Sequence, residues 1–322
     1  MRIVFNTTST SKTSYKMDSF VPLISVLCVF IIHLSSLVDG GGIGIKSLTV
    51  DNLPPLDQFV TLLKSRNISQ IRLFSPDLKI LNALQNSEIQ VIIGTFNQDI
   101  AILAGDINFA KAWVQTNIIP YIQTITFRCI SIGNEVIPAV GIYALASSSP
   151  PLTGDFSGDV KPGIEHIKCL LANNGFPLLI TTYPYFSYIH EPSSIQLQFV
   201  LFTSPDVVAR DESLGYMNMF DAMVDAVYSA LEKVGAGGVE VVIYESGWPL
   251  QGNGDFTTTE LARTYNQNLL SHVHGSGTPK KPDKNVEAYV FALFNENQKD
   301  SGVEQHFGLF NPDMTEVYHV DF

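Results

Sequence analysis

Seven apolar runs of strand length recur along this chain from residue 43 onward: Ile43–Ser47, Ile68–Phe74, Ile89–Thr95, Arg128–Asn134, Leu178–Tyr183, Val239–Glu245 and Val286–Phe294. Amphipathic stretches of helical period separate them, among them LDQFVTLLKSR at 56–66 and MFDAMVDAVYSALEKVG at 219–235. Continuously apolar strands alternating with helices predict a parallel sheet covered on both faces. No glycine-rich phosphate fingerprint joins a strand to its helix, and GGGIG at 40–44 precedes the first strand. A closed β/α barrel is therefore expected rather than a dinucleotide-binding sheet.

Such a barrel has eight strands, and one is missing from the count. The interval from Val136 to Leu178 already holds a turn-rich loop, SSSPPLTGDFSGD, and a helix, VKPGIEHIKCLLANN. Only Ile137–Ala146 remain, whereas a βαβ unit takes roughly thirty residues or more. The expected fold is a (β/α)8 TIM-type barrel, incomplete or distorted at its fourth helix and fifth strand. It occupies residues 41–322 as a single domain, with Val140–Ser147 serving as a makeshift fifth strand.

Residues 1–40 read as a polar extension and a secretory signal. Lys12 and Lys16 precede an apolar run from Phe20 to Leu34, and small residues follow, placing cleavage between Ser36 and Gly41. Met17 is an alternative initiator, and a signal-anchor helix is the alternative reading of the run, which is short for a bilayer span. The expected location is secreted: extracellular, cell wall or vacuole, with no membrane association after signal cleavage. Asn67-Ile68-Ser69 is a glycosylation sequon. Cys129 and Cys169 remain in the mature chain, and two buried free thiols are expected rather than a bridge.

Charge narrows the ligand. With 31 acids against 19 bases, the net charge is -12. Nucleic acid is excluded as a partner and anionic polymers are repelled, leaving a neutral substrate. No HExxH, paired-cysteine or GxSxG motif occurs, so neither a metal or cofactor nor a serine nucleophile is implied. His166, His190 and His319 read as ordinary surface or core histidines.

Carboxylates carry the remaining signal. Glu135 ends a strand in RCISIGNEV, Glu245 ends another in VVIYESGWP, and Glu296 follows the last strand, with Lys299 and Glu304 close behind. Parallel strands of a barrel all end at one face, so acids from distant positions converge there. A single acid at such a place can equally be a strand or helix cap, but two suit glycoside hydrolysis. That reaction needs one carboxyl to protonate the leaving oxygen and another to attack the anomeric carbon or activate water. Tyr183, Tyr185, Phe186 and Tyr188 follow a strand end, and Trp248 and Phe307 lie near the acids. Each can stack on a sugar ring or fill the core.

NLPP, RLFSPD, IGNEV, YPYF, ESGWP and FNENQKDSGVEQHFGLF stand in the order found in plant glucan endo-1,3-β-glucosidases, glycoside hydrolase family 17. The chain resembles that family from Ile43 to Phe322. The resemblance implies a retaining barrel enzyme, acting as a monomer, that cuts internal bonds of β-1,3-glucan in carbohydrate metabolism or plant defence. It implies Glu245 as nucleophile and Glu135 as general acid/base. Glu296, Lys299 and Glu304 would be a supporting charged cluster, with Asn134, Tyr183, Tyr185, Trp248 and Phe307 at the substrate. Two departures stand out. Lys46, Ser47 and Leu48 replace a Tyr-Gly that lines the cleft, and IPAVGIYALASSS stands where relatives have a helix and the fifth strand. A catalytically impaired glucan-binding or defence homologue, or a (1→3,1→4)-β-glucanase, are the alternative readings.

Overall fold

A computed structural model describes residues 3–4, 14–15, 41–45, 54–132 and 144–322. Apart from a two-residue antiparallel pair, Ile3–Val4 with Ser14–Tyr15, the N-terminal extension and its apolar run lie outside the described residues. So do Lys46, Ser47 and Leu48.

All seven expected strands are present, in one parallel sheet. They are β1 (Gly41–Ile45), β2 (Gln70–Leu73), β3 (Gln90–Gly94), β4 (Thr126–Ser131), β7 (Leu178–Thr181), β10 (Val241–Ser246) and β11 (Glu287–Phe291). Their spatial order is β4-β3-β2-β1-β11-β10-β7. Helices fall between them: α1 (Leu56–Ser65), α2 (Leu78–Leu84), α3 (Ile100–Gly105), α4 (Ile107–Asn117), α5 (Lys161–Asn174), α6 (Pro184–His190), α7 (Leu197–Val200), α8 (Met219–Lys233) and α9 (Thr259–Val273). Their starts follow local chemistry. Asp77, Asp106, Asn218 and Thr258 each accept a backbone N–H of the first turn of α2, α4, α8 and α9.

Strand alternation, interrupted in β4 by a register slip between Phe127 and Cys129, separates two layers. Ile71, Leu73, Val91, Ile93, Phe127, Leu178, Ile180, Val241, Ile243, Ala288 and Val290 face the helices in one continuous core. The opposite face gathers Ile92, Cys129, Leu179, Val242 and Tyr289 into a second cluster. That cluster draws on β4 and β7, the two outermost strands of the sheet, so the sheet is curled. The contact between Arg128 on β4 and Glu287 on β11 gives the measure. Their strands are four steps apart, ~19 Å in a flat sheet, yet Nη2 lies 2.9 Å from the carboxylate. The same Glu287 accepts from the Tyr289 hydroxyl, which is also 3.0 Å from Gln70. Burial raises the affinity of Glu287 for its proton, with Arg128 opposing. Burial also pushes the Cys129 thiol up to about 12, so that sulfur stays protonated.

The curl stops short of closure: β4 and β7 are the edges, and no strand lies between them among the described residues. The makeshift strand over Val140–Ser147 is corrected here. Its described part, β5 (Leu145–Ser147), pairs antiparallel with β6 (Asp155–Phe156), outside the main sheet. The reason is length, because a parallel neighbour to β4 needs a crossover of a dozen residues or more. Residues 133–143, which lie outside the described residues, are too few. A further hairpin, β8 (Ala209–Asp211) with β9 (Leu214–Tyr216), follows α7. Both described cysteines are free, but only Cys129 is buried; Cys169 lies on the exposed face of α5.

Candidate active site

Glu245 lies one residue before the carboxyl end of β10, and simple alternation would point it the wrong way. Ile243 faces the helices, so Tyr244 should face inward and Glu245 outward again. The register of β10 against both neighbours slips after Ile243, a bulge that changes the phase of the strand. Tyr244 and Glu245 consequently both meet Arg72 on the inner face. Ser246 turns outward to share a hydrogen bond of 2.7 Å with the Tyr265 hydroxyl of α9. Glycine is required next, since a Cβ on Gly247 would sit 2.2 Å from the Phe291 carbonyl oxygen.

Arg72 is the residue sequence reasoning missed. It sits on β2, 1 % exposed, with Nη1 3.4 Å from the Glu245 carboxylate and 3.2 Å from the Tyr244 carbonyl oxygen. Its guanidinium lies 3.8 Å from the ring centres of both Phe74 and Tyr244. One signal could have found it: an arginine between Ile71 and Leu73 in a buried strand must be paired.

Phe74 continues the site. With Phe291, Ala292 and Phe307 it forms a small apolar cluster against which Tyr183 and Phe186 pack. Ring centres are 6.1 Å apart for Phe74–Phe291, 5.3 Å for Phe291–Phe307 and 5.9 Å for Phe307–Tyr183. Above it the segment after β11 folds back on itself through Ala292–Phe307, Leu309–Ala292 and Glu296–Gln305 backbone bonds. This fold-back gathers the predicted cluster: Lys299 pairs with Glu296, lies 3.5 Å from Glu304 and sits 4.9 Å above the Phe291 ring. Gly308 permits the return, as a Cβ there would lie 1.9 Å from the Asn295 nitrogen. Glu245, Glu296, Lys299, Glu304, Tyr183 and Phe307 therefore belong to one connected set. Asn134 and Glu135, the remaining predicted members, lie outside the described residues.

Three predicted sugar contacts are corrected. Tyr185 and Trp248 are fully buried and Phe307 is 2 % exposed, so none offers a ring face to a ligand. Trp248 donates from Nε1 to the Phe256 carbonyl at 2.9 Å and packs on Tyr185 and Tyr265. Tyr185 receives a hydrogen bond from Asn253, and burial keeps its hydroxyl protonated. Tyr183 keeps part of its surface exposed. Among the described residues no group of three His, Cys, Asp or Glu side chains could hold a metal ion. No helix among them is long and apolar enough to cross a membrane.

Comparison with known proteins places this arrangement. The chain is 42 % identical to the acidic isoform of glucan endo-1,3-beta-glucosidase from Zea mays, over 87 % of this chain and 92 % of the maize protein. A solved structure from a study of two plant beta-glucan endohydrolases with distinct substrate specificities superposes with a TM-score of 0.83 at 36 % identity, covering 87 % of this chain and all of that one. A beta-1,3-glucanase and pollen allergen of Cryptomeria japonica gives the same TM-score at 38 % identity, over 88 % and 99 % of the two chains. The maize alignment runs over 317 residues but takes up about 280 of this chain, so more than thirty positions have no counterpart here. The family model for glycosyl hydrolases family 17 matches in two stretches, 43–145 and 138–322, and breaks in the segment that follows β4. Both halves match and the interruption falls at the gap between β4 and β7: the chain is a member of glycosyl hydrolases family 17.

Proposed function

We propose that this chain is a secreted, retaining endo-hydrolase of (1→3)-β-glucan, with Glu245 as nucleophile and Glu135 as general acid/base. The observation that carries the reading is Glu245 itself: an acid at the carboxyl end of a parallel strand, turned inward by a bulge and held against a buried arginine. Glu135 follows β4 at the same end of the sheet in the sequence. In the reaction, Glu135 protonates the glycosidic oxygen as the Glu245 carboxylate attacks the anomeric carbon, giving a glycosyl ester. Glu135 then takes a proton from water, which displaces Glu245 with overall retention. Tyr183 offers its partly exposed ring to a sugar face, and Glu296, Lys299 and Glu304 shape the field at the rim.

The seven-stranded curl reads as a (β/α)8 barrel without its fifth strand, folded as one domain from residue 41 and acting as a monomer. The relatives' names support β-1,3-glucan as substrate, and a net charge of -12 suits a neutral polysaccharide. A second reading, a glucan-binding homologue with impaired turnover, is favoured by the gap beside β4, because Glu135 follows that unsupported edge. Reducing-sugar release from laminarin and from mixed-linkage (1→3,1→4)-glucan, wild type against Glu245→Gln, decides between these readings. Turnover of laminarin lost in the variant supports the hydrolase. Equal rates in the two proteins remove the catalytic assignment, and a preference for the mixed-linkage polymer reassigns the substrate.

A further inference from the structure

We propose that Arg72 is the positioning residue of the nucleophile; this inference rests on the role proposed for Glu245. Three observations carry it. The guanidinium is held between the faces of Phe74 and Tyr244, each 3.8 Å away, so its plane cannot turn. Its Nη1 reaches both the Tyr244 carbonyl oxygen and the Glu245 carboxylate. Arg72 itself is 1 % exposed, which keeps solvent from screening the pair.

The physical consequence is directional. A bulged strand end is the least regular part of β10: Glu245 pairs with Thr181 of β7, while toward β11 the pairing skips from Ile243 to Ser246. Arg72 reaches Glu245 from β2, three strands away in the sheet order. It therefore ties the nucleophile to a regular strand on the other side of the curl. The positive charge stays constant throughout, since a guanidinium does not lose its proton in proteins. As Glu245 passes from carboxylate to ester and back, Arg72 holds the same oxygen in place. Phe74, packed on Phe291, links the brace to the ring beneath Lys299.

The test uses Arg72→Ala and Arg72→Lys in the full chain, with laminarin as substrate and thermal unfolding measured in parallel. Arg72→Ala is expected to lower kcat by about a hundredfold with KM changed less than about threefold, the signature of a misaimed reacting group. Free guanidinium at tens of millimolar is expected to restore part of kcat by entering the slot between Phe74 and Tyr244. Arg72→Lys is expected to keep the charge but lose the planar fit, falling between the two. If Arg72→Ala does not fold, the kcat-to-KM split of Arg72→Lys decides alone. The inference is overturned by kcat within a few-fold of wild type in a folded variant. A loss that tracks the melting temperature with no guanidinium response overturns it as well. An inactive wild type, or one matched by Glu245→Gln, overturns the proposed function instead, and the inference with it.

Discussion

The Arg128 guanidinium lies 2.9 Å from the Glu287 carboxylate, although their strands stand four places apart in the sheet. This ion pair spans the inside of the curl near the start of β11, away from the candidate site. Glu287 is almost wholly buried, and removing its partner leaves an uncompensated charge. Arg128→Met is expected to cost about 2–4 kcal/mol in urea unfolding, at the lower side of buried pairs because Arg128 is partly exposed. A change below the error of the measurement would mean the pair does not hold the curl together.

Asp225 makes stability depend on pH. Burial in α8 pushes its carboxyl up to about 6, only partly offset by hydrogen bonds that include the Lys280 backbone N–H at 2.9 Å. The folded chain binds this proton more tightly than the unfolded one. The stabilisation is thus complete below pH 3.8 and is lost as pH rises through about 6. Relative to Asp225→Asn, the wild type is expected to lose on the order of 2–3 kcal/mol between pH 4 and pH 7. Parallel stability curves for the two proteins would refute this.

Trp248 and Tyr183 should separate cleanly. Trp248→Phe removes the bond to the Phe256 carbonyl and leaves a void, costing about 1–3 kcal/mol of stability with little change in KM. Tyr183→Ala is expected to leave the fold intact and raise KM by up to about tenfold through lost ring contact. A large KM effect at Trp248 would return it to the groove.

Restoring the missing segment is the direct test of the gap. Grafting the segment of the Zea mays relative that has no counterpart here between Ile137 and Ala144 is expected to give β4 and β7 a common neighbour. The graft is expected to raise Tm by roughly 5 °C or more and to increase kcat, through newly paired edge groups and a supported Glu135. An unchanged Tm would show that the gap carries no cost.

The sheet was legible because its seven strands are continuous apolar runs, and the missing eighth was legible because no residues remained to build it. The destination of Leu145–Ser147 was not, since three residues pair with whichever edge lies within reach. Arg72 escaped notice because its partner is far along the chain and only the curl unites them. Trp248 and Tyr185 were misread for a different reason. An aromatic beside a catalytic acid has the same sequence signature whether its ring faces the ligand or closes the space behind it. Cys169 was misplaced because an amphipathic helix exposes one face, and its phase on α5 is weakly marked.

The slip in β10 has one further consequence. Side by side in the chain, Glu245 and Ser246 answer to different masters, one to the inner chamber and the other to the helix coat. The extra residue acts as a phase shifter, so spacing is under constraint here as strictly as identity. Drawing β10 straight, with Tyr244 kept in simple alternation after Ile243, would leave every side chain of the motif present. It would exchange their addresses, setting the carboxylate against Tyr265 and the hydroxyl against Arg72, and the strand would fit its neighbours better while losing its chemistry.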